Sequence, residues 1–377
     1  MIYLDHAATT PVDPRVAGAM QPFLGEQFGN PSSIHALGRA ARAAVDTARD
    51  TLASTLNCDY AEICFTSSGT EADNLALIGV MLAAPKDRNH LVVSSIEHHA
   101  VSHAAKALEI HGYTVTYVNV DSEGFVDLDA LAESITERTA LVSIMHGNNE
   151  IGTIQDVAAI AKLAHEKGAR FHTDAVQSFG SLSIDAKNLD CDLLSISAHK
   201  IYGPKGVGAL YARTGVPLSP ILVGGSQERE RRAGTENTAG IVGFGEAVRL
   251  LQDTEGEANR LTALRDGFIA NLFEAIPNIR LNGPTGARRL PNNVNISIAG
   301  VDGSAVLMNL DRLGIAASSG SACSSGSIEP SHVLTAIGLP PDLAASGIRL
   351  TLGRSTTESE LNETVGTLSD IVHRLRS

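Results

Sequence analysis

Through the first two thirds of the chain, short runs of β-branched and other apolar residues alternate with longer alanine-rich stretches whose apolar positions recur with helical spacing. The first kind predicts strands over Ile63–Phe65, His90–Ser94, Thr114–Val118, Ala140–Met145, Ala169–Thr173 and Leu193–Ile196. The second predicts helices over Glu71–Ala83, Val101–His111, Leu128–Ser134 and Val157–Glu166. Gly112 and Gly168, each just before a strand, suit helix C-caps. Strand–helix alternation of this regularity predicts one large α/β domain on a mainly parallel sheet covered by helices. After about Gly240 the pattern changes. A long helical segment, Ile241–Ala275, leads to weaker strands around Arg280–Leu281, Asn293–Ile298 and Gly347–Leu352, separated by helices, and the last helix is predicted over Glu358–Leu375. This predicts a smaller α+β domain, so the chain divides into 1–255 and 256–377, with residues 1–15 expected to pack with the second part.

A chain of 377 residues, 43% hydrophobic, can bury a large core, and at ~150 residues per domain two domains are expected. The net charge of -13 leaves no basic stripe to displace counterions from phosphates, which argues against nucleic acid as a partner. Cys58, Cys64, Cys191 and Cys323 contain no CxxC pair, so neither a structural zinc site nor a secreted disulfide framework is indicated, and a reducing cytoplasm fits. The first residues show no basic segment followed by an apolar run, and no stretch approaches the ~20 apolar residues that span a bilayer, so no membrane association is expected. Serine and glycine crowd around Cys323 over Ser318–Ser327, a composition that favours a mobile surface loop.

Four places could carry chemistry. Lys200 stands directly after a predicted strand and before the glycine-rich Gly203–Gly208 turn, where an amine facing a pocket can form a Schiff base with an aldehyde cofactor. Taken alone, the same lysine reads as a solvated loop residue. Asp174 ends another strand, and strand C-termini are where open α/β sheets bind ligands. A carboxylate there can pair with a protonated pyridine nitrogen and keep a ring electron-poor, or it can be a helix N-cap. In Thr66-Ser-Ser-Gly69-Thr70, a small-residue turn opens an alanine-rich helix whose N–H groups can cradle a phosphate; ordinary capping explains it equally. Ser95-Ile-Glu97-His98-His99 follows a strand, so an imidazole can lie over a cofactor ring or shuttle protons. His98, His99 and His103 also offer a metal alternative, since positions 99 and 103 share a helical face, but no carboxylate-rich or thiol partner set accompanies them.

Taken together these segments resemble a known family. The order Gly69-Thr70, Glu97-His98, His146-Gly-Asn-Asn149-Glu-Ile-Gly152, Asp174-Ala-Val-Gln177, Ser197-Ala-His199-Lys200, Arg232-Ala-Gly-Thr235 and Ser319-Gly-Ser-Ala-Cys323 resembles the cysteine desulfurases, within the class V aminotransferase-like enzymes of pyridoxal-phosphate fold type I. The likeness runs from Tyr3-Leu4-Asp5-His6 to Ile348-Arg349-Leu-Thr-Leu-Gly-Arg354, and the serine-rich Cys323 loop is similar to that of the nitrogen-fixation and housekeeping iron–sulfur group. The resemblance implies a large domain on a mainly parallel seven-stranded sheet plus a small α+β domain.

It also implies roles. Lys200 is similar to the lysine that holds pyridoxal 5′-phosphate, Asp174 to the pyridinium partner, and His98 to the residue that stacks on the ring and moves protons. Gln177 and Asn149 resemble the contacts to the phenolic oxygen and substrate, while Gly69, Thr70, Ser197 and His199 resemble the phosphate cup. Thr235 resembles a residue lent by a neighbouring subunit, which implies a homodimer. Arg349 sits where the family binds the substrate carboxylate, with Arg354 as competitor. The implied reaction converts L-cysteine to alanine, with sulfur passing to Cys323 as a persulfide and then to an iron–sulfur scaffold or other acceptor protein; Cys323 is also a candidate transient ligand of iron. A selenocysteine lyase or related aminotransferase, and a non-catalytic iron–sulfur scaffold, are the competing readings. The chain ends at Ser377 soon after its last predicted helix, whereas housekeeping relatives often carry a longer tail that helps dock a scaffold.

Overall fold

The computed structural model describes residues 1–319 and 330–377. Its strands, in chain order, are β1 (Ile2–Tyr3), β2 (Ile63–Thr66), β3 (His90–Ser94), β4 (Thr114–Val118), β5 (Thr139–Ser143), β6 (Arg170–Asp174), β7 (Leu193–Ser197), β8 (Gly208–Ala212), β9 (Ile279–Leu281), β10 (Asn293–Ile298), β11 (Ile315–Ala316) and β12 (Gly347–Thr351). Seven of them form one sheet in the order β2-β8-β7-β6-β5-β3-β4. The run from β4 to β7 is parallel, and β8 lies antiparallel to both β7 and β2.

Because successive side chains on a strand face opposite sides, a sheet covered on both faces needs apolar residues at every position. This one has them. Val92, Val142 and Leu194 point into a core shared with Val45, Leu52 and Phe244, while Leu91, Leu141 and Leu193 point into the opposite core with Leu75, Ala76 and Val101. A separate core belongs to the rest of the chain. Phe268, Leu272, Val294, Ile296, Ile348, Leu350, Leu361 and Leu368 pack around the antiparallel sheet β12-β10-β9, and Ile2 and Leu4 join them. The N-terminal segment is tied there by the bond from the Thr351 N–H to the Leu4 carbonyl, 2.7 Å long.

Gly112 and Gly168 follow helix ends with φ of +88° and +71°, the left-handed conformation of a C-cap. The continuous helix expected over Ile241–Ala275 is two helices, Thr238–Arg249 and Thr254–Ala275. The break is made by Asp253, whose side chain accepts from the Gly256 N–H and so starts a new helix. The strand expected to reach Met145 spans Thr139–Ser143, and beyond it the Ile144 and His146 N–H groups still bond the β6 carbonyls of His172 and Asp174, so the chain continues alongside β6 in the same register. The helix Ala36–Leu56 and strand β8 are elements that sequence reading passed over. No helix among the described residues is long and apolar enough to cross a membrane.

Candidate active site

The parallel strands β6 and β7 end side by side, and the loops leaving their carboxyl ends enclose a cavity of about 200 Å³. Gly69, Thr70, His98, Asn149, Asp174, Gln177, Ser197, His199 and Lys200 all line it. Lys200 closes a turn of 3-10 helix, Ala198–Lys200, that follows β7 directly. Its Nζ donates to the carbonyl oxygens of Ala7 and, at 2.9 Å, Ala8, so the N-terminal segment bounds the lysine's position. Gln177 donates to the same Ala7 carbonyl at 2.9 Å.

Asp174 is the last residue of β6. One of its oxygens accepts the Val176 N–H at 2.8 Å. Burial pushes its carboxyl up to about 6, against the opposing pull of the Val176 N–H and of Lys200. His98 caps the helix His99–Ile110, its Nδ1 accepting from the Ala100 N–H at 3.1 Å. Burial first, then the Lys200 charge, pushes the imidazole down to about 4, so at neutral pH the ring is uncharged with its proton on Nε2.

The phosphate-cup candidates meet at one end. Gly69 and Thr70 are the first residues of the helix Gly69–Ala83, where N–H groups have no intrahelical acceptor. A Cβ on Gly69 would lie 2.8 Å from the Val176 Cγ2 and 3.4 Å from the Ser197 Cβ, so a larger residue there forces the helix start or Val176 to move. The Ser197 hydroxyl is buried without a hydrogen-bond partner among the described residues. His199 pairs through Nδ1 with the Thr9 hydroxyl at 3.1 Å and is pushed down to about 4 by burial and two neighbouring lysines. An orphaned hydroxyl, a helix start and a buried carboxylate with an oxygen to spare are the donor and acceptor set that a phosphorylated pyridine needs. The residues therefore fit pyridoxal 5′-phosphate.

Three carboxyl groups that sequence reading did not assign to the site surround it. Asp73, on the helix that begins at Gly69, is 1% exposed and lines the cavity. Burial, then the Asp174 charge, raises it well above the usual carboxylate range. It lies 3.7 Å from His172, whose own pKa is pushed down to about 3 by burial, so burial works against charge on both sides of the contact. Glu97 is fully buried and pushed up to about 8 by desolvation. One oxygen accepts from the Ser94 hydroxyl at 2.5 Å and the Met145 N–H at 2.9 Å. Asp5 pairs with Arg349 at 2.9 Å. A polar residue breaking an otherwise apolar helix face was the one signal available for Asp73. Donor atoms of Asp73, His98 and Asp174 lie within 4.8 Å of one another, but a carboxyl whose burial opposes ionisation and a His98 nitrogen committed to a backbone N–H make a poor metal site.

Arg349 is 2% exposed on β12 and donates to the Asn149 carbonyl at 3.1 Å, which holds it beside the cavity. Arg354 is elsewhere: its guanidinium stacks 4.2 Å over Tyr202 and lies 3.7 Å from Asp13. It lines a larger hollow, about 410 Å³, that shares Lys200 and Gln177 with the first but has neither Asp174 nor Ser197 nor the helix start. The chemistry favours the smaller cavity as the site. Thr235 is exposed and does not reach either cavity of its own chain. Cys323 lies outside the described residues. The other thiols are unreactive by environment, since burial pushes Cys58, Cys64 and Cys191 up to about 12.

Comparison with known proteins points to one family. Residues 2–363 match the family model described as aminotransferase class-V. A curated relative named cysteine desulfurase IscS, from Dictyoglomus turgidum, is 50% identical over 377 residues, covering 100% of this chain and 95% of the relative. A solved structure described as a NifS-like protein superposes with a TM-score of 0.93 at 36% identity, covering 99% of each chain. Another, described as SspA in complex with cysteine, gives 0.83 at 36% identity over 93% of this chain and 99% of that one.

Proposed function

The chain belongs to the class-V aminotransferase family, and from that membership and the cavity at Lys200 we propose that it is a pyridoxal-phosphate-dependent cysteine desulfurase. Its architecture is that of fold type I in this class of enzyme, a mainly parallel seven-stranded sheet beside a smaller α+β unit. The single observation that carries the reading is the convergence of Lys200, Asp174, His98, Ser197 and the Gly69–Thr70 helix start on one cavity.

Lys200 is the amine that would hold the cofactor, and Asp174, with one oxygen left over, would hold the ring nitrogen in its protonated form. The N–H groups of Gly69 and Thr70, the Ser197 hydroxyl and His199 would take the phosphate. When bound, the cofactor supplies an electron-poor ring that accepts charge from the substrate Cα. The protein's own residues do the rest. Arg349, beside Asn149, binds the carboxylate of L-cysteine. The Lys200 amine takes the Cα proton, and the neutral His98 bounds the ring and moves protons at the substrate. The Cys323 thiolate attacks the substrate sulfur: an S–S bond forms, the Cβ–S bond breaks, its electron pair stays with the carbon, and protonation there yields alanine. The sulfur leaves oxidised, as a persulfide for an iron–sulfur scaffold or another acceptor protein.

Two further parts of the reading have their own support. The separate cores, with the helix break at Leu250–Asp253, support a division of the chain near residue 255, residues 1–15 packing with the second unit. A homodimer is supported by the exposed apolar side chains of Phe28, Ile34, Leu222 and Val223, with Leu222 tied by its carbonyl to the Ala233 N–H two residues before Thr235. A thiolate that must stay reduced suits the cytoplasm.

The test is alanine and sulfide release from L-cysteine with added reductant, run on the wild type, Lys200→Ala and Cys323→Ala. Equal alanine and sulfide from the wild type alone, with the cofactor's visible absorbance kept in Cys323→Ala and altered in Lys200→Ala, is expected. Absorbance without alanine would sink the substrate assignment and keep the fold, and alanine from selenocysteine alone would make the chain a selenocysteine lyase. A colourless protein that takes up no cofactor would leave the scaffold reading.

A further inference from the structure

The proposed reaction uses Arg349 and Asn149 and gives Asp5 no part, yet Asp5 holds one end of the Arg349 guanidinium. Nη1 donates to the Asn149 carbonyl at 3.1 Å and Nη2 to the Asp5 carboxylate at 2.9 Å. These two anchors come from distant segments, the loop after β5 and the N-terminal stretch. The backbone fixes where Asp5 stands. It pairs with Thr351 in a parallel bridge, the Thr351 N–H donates to the Leu4 carbonyl at 2.7 Å, and the Tyr3 hydroxyl donates to the Asp5 carbonyl at 3.1 Å. Arg349 lies two residues before Thr351 on β12, so both side chains face the N-terminal segment: Thr351 through Oγ1, which accepts the Ala7 N–H at 2.9 Å, and Arg349 through Asp5.

A guanidinium binds a carboxylate through two parallel N–H bonds only when its plane is set for them. The anchor on Nη2 keeps that plane from pivoting about the Asn149 bond. Asp5 also acts the other way, since its charge lies beside the cation that a substrate carboxylate must approach. Magnitudes decide between the two effects. The Asp5 side chain is 20% exposed, so solvent screens its repulsion of a second anion to about fivefold in affinity. Misplacing a binding group by about 1 Å costs on the order of 100-fold. Orientation therefore outweighs repulsion.

We propose that Asp5 is a positioning residue, setting the plane of the Arg349 guanidinium for the α-carboxylate of the amino-acid substrate. It acts through Arg349, and the inference rests on Arg349 being the group that receives that carboxylate.

The cofactor-loaded protein tests this with L-cysteine and with L-cysteinamide, which has no carboxylate to align. Asp5→Ala should raise KM for L-cysteine about tenfold with kcat within about twofold, and Asp5→Asn, which keeps an acceptor oxygen in place, should raise it by less than about threefold. Both should match the wild type on the amide. Tyr3→Phe loosens the same segment but spares the ion pair, so it should leave both KM values unchanged. Titrating the cofactor's visible band with L-alanine makes the comparison without sulfur chemistry, and its dissociation constant should also rise about tenfold in Asp5→Ala. An unchanged or lowered KM for L-cysteine in Asp5→Ala overturns the proposal, because Asp5 would then only repel. Equal losses on cysteine and amide overturn it too, because Asp5 would then only brace the fold. A wild type that binds the amide as well as the acid overturns the carboxylate reading of Arg349 and this proposal with it. Circular dichroism and cofactor absorbance on each variant separate these results from lost structure or lost cofactor.

Discussion

Glu97 shows how much a single buried carboxyl can make stability depend on pH. Its carboxyl is 0% exposed and burial raises it from 4.5 to about 8. The folded value lies above the unfolded one, so between those pH values the folded chain keeps a proton that the unfolded chain releases. Stability therefore falls as pH rises through the window and levels off above 8. Glu97→Gln has the shape of the protonated acid and lacks the titration. Against the wild type it should gain on the order of a few kcal/mol between pH 5 and pH 9, seen as a growing gap in denaturant midpoint; a gap that stays constant with pH would remove Glu97 as its source. Arg349 and Arg354 can be separated by kinetics. Arg349→Lys keeps the charge beside Asp5 but loses the planar fork, and KM for L-cysteine should rise about 10–100-fold, while Arg354→Ala should leave KM within about twofold. At this scale the sequence was legible where a residue's position on a strand end implied its direction. Asp174 ends β6 and Lys200 follows β7, and the cavity holds both. Asp73 and Asp5 were not legible, because an interior helix position and an N-terminal bridge acquire meaning only when distant segments close over them.

Elements place these groups, and the helix Gly69–Ala83 does so most directly. Its start must approach β7 and the Val176 turn so closely that a methyl group on Gly69 meets Val176 at 2.8 Å. Gly69→Ala is expected to fold, since φ there is ordinary, but to push the helix start away from Ser197 and weaken cofactor affinity at least tenfold. Cofactor absorbance after dialysis measures it, and full retention would mean that the helix start does not contact the phosphate. The strands of the large sheet were readable because their β-branched runs are bounded by turns, and the C-cap glycines because only their φ suits those ends. β8, Gly-Ala-Leu-Tyr-Ala, escaped notice because its composition carries little β preference; burial between β2 and β7 makes it a strand. The helix Ala36–Leu56 did offer a signal, apolar Ala41, Val45, Ala48, Leu52 and Leu56 at spacings of three and four, all of them buried. The break at Asp253 was legible too, as an N-cap followed by the acidic first turn Glu255 and Glu257.

At the scale of the whole molecule, one chain supplies every residue of the expected site among the described residues except Thr235. Thr235 is exposed on a segment that the Ala233 N–H ties to the Leu222 carbonyl at 3.2 Å, and Leu222, Val223 and Ile34 are 45%, 78% and 91% exposed. Apolar groups this bare suit a surface that a second copy covers, and in a two-fold dimer each chain would lend its Thr235 to the other's cavity. Two variants in one assembly test the exchange. Lys200→Ala has no amine to hold the cofactor, and Thr235→Ala lends a defective residue. In a mixed dimer of the two, one site combines both defects and the other has neither, because its Lys200 comes from one chain and its Thr235 from the other. Random pairing makes about half of all dimers mixed, so about a quarter of sites should be intact. Co-expression should therefore raise turnover above the mean of the separate variants, and Val223→Asp in both chains should abolish the gain together with the dimer in sedimentation. If Thr235 serves its own chain, mixing restores nothing, because each chain still carries its own defect.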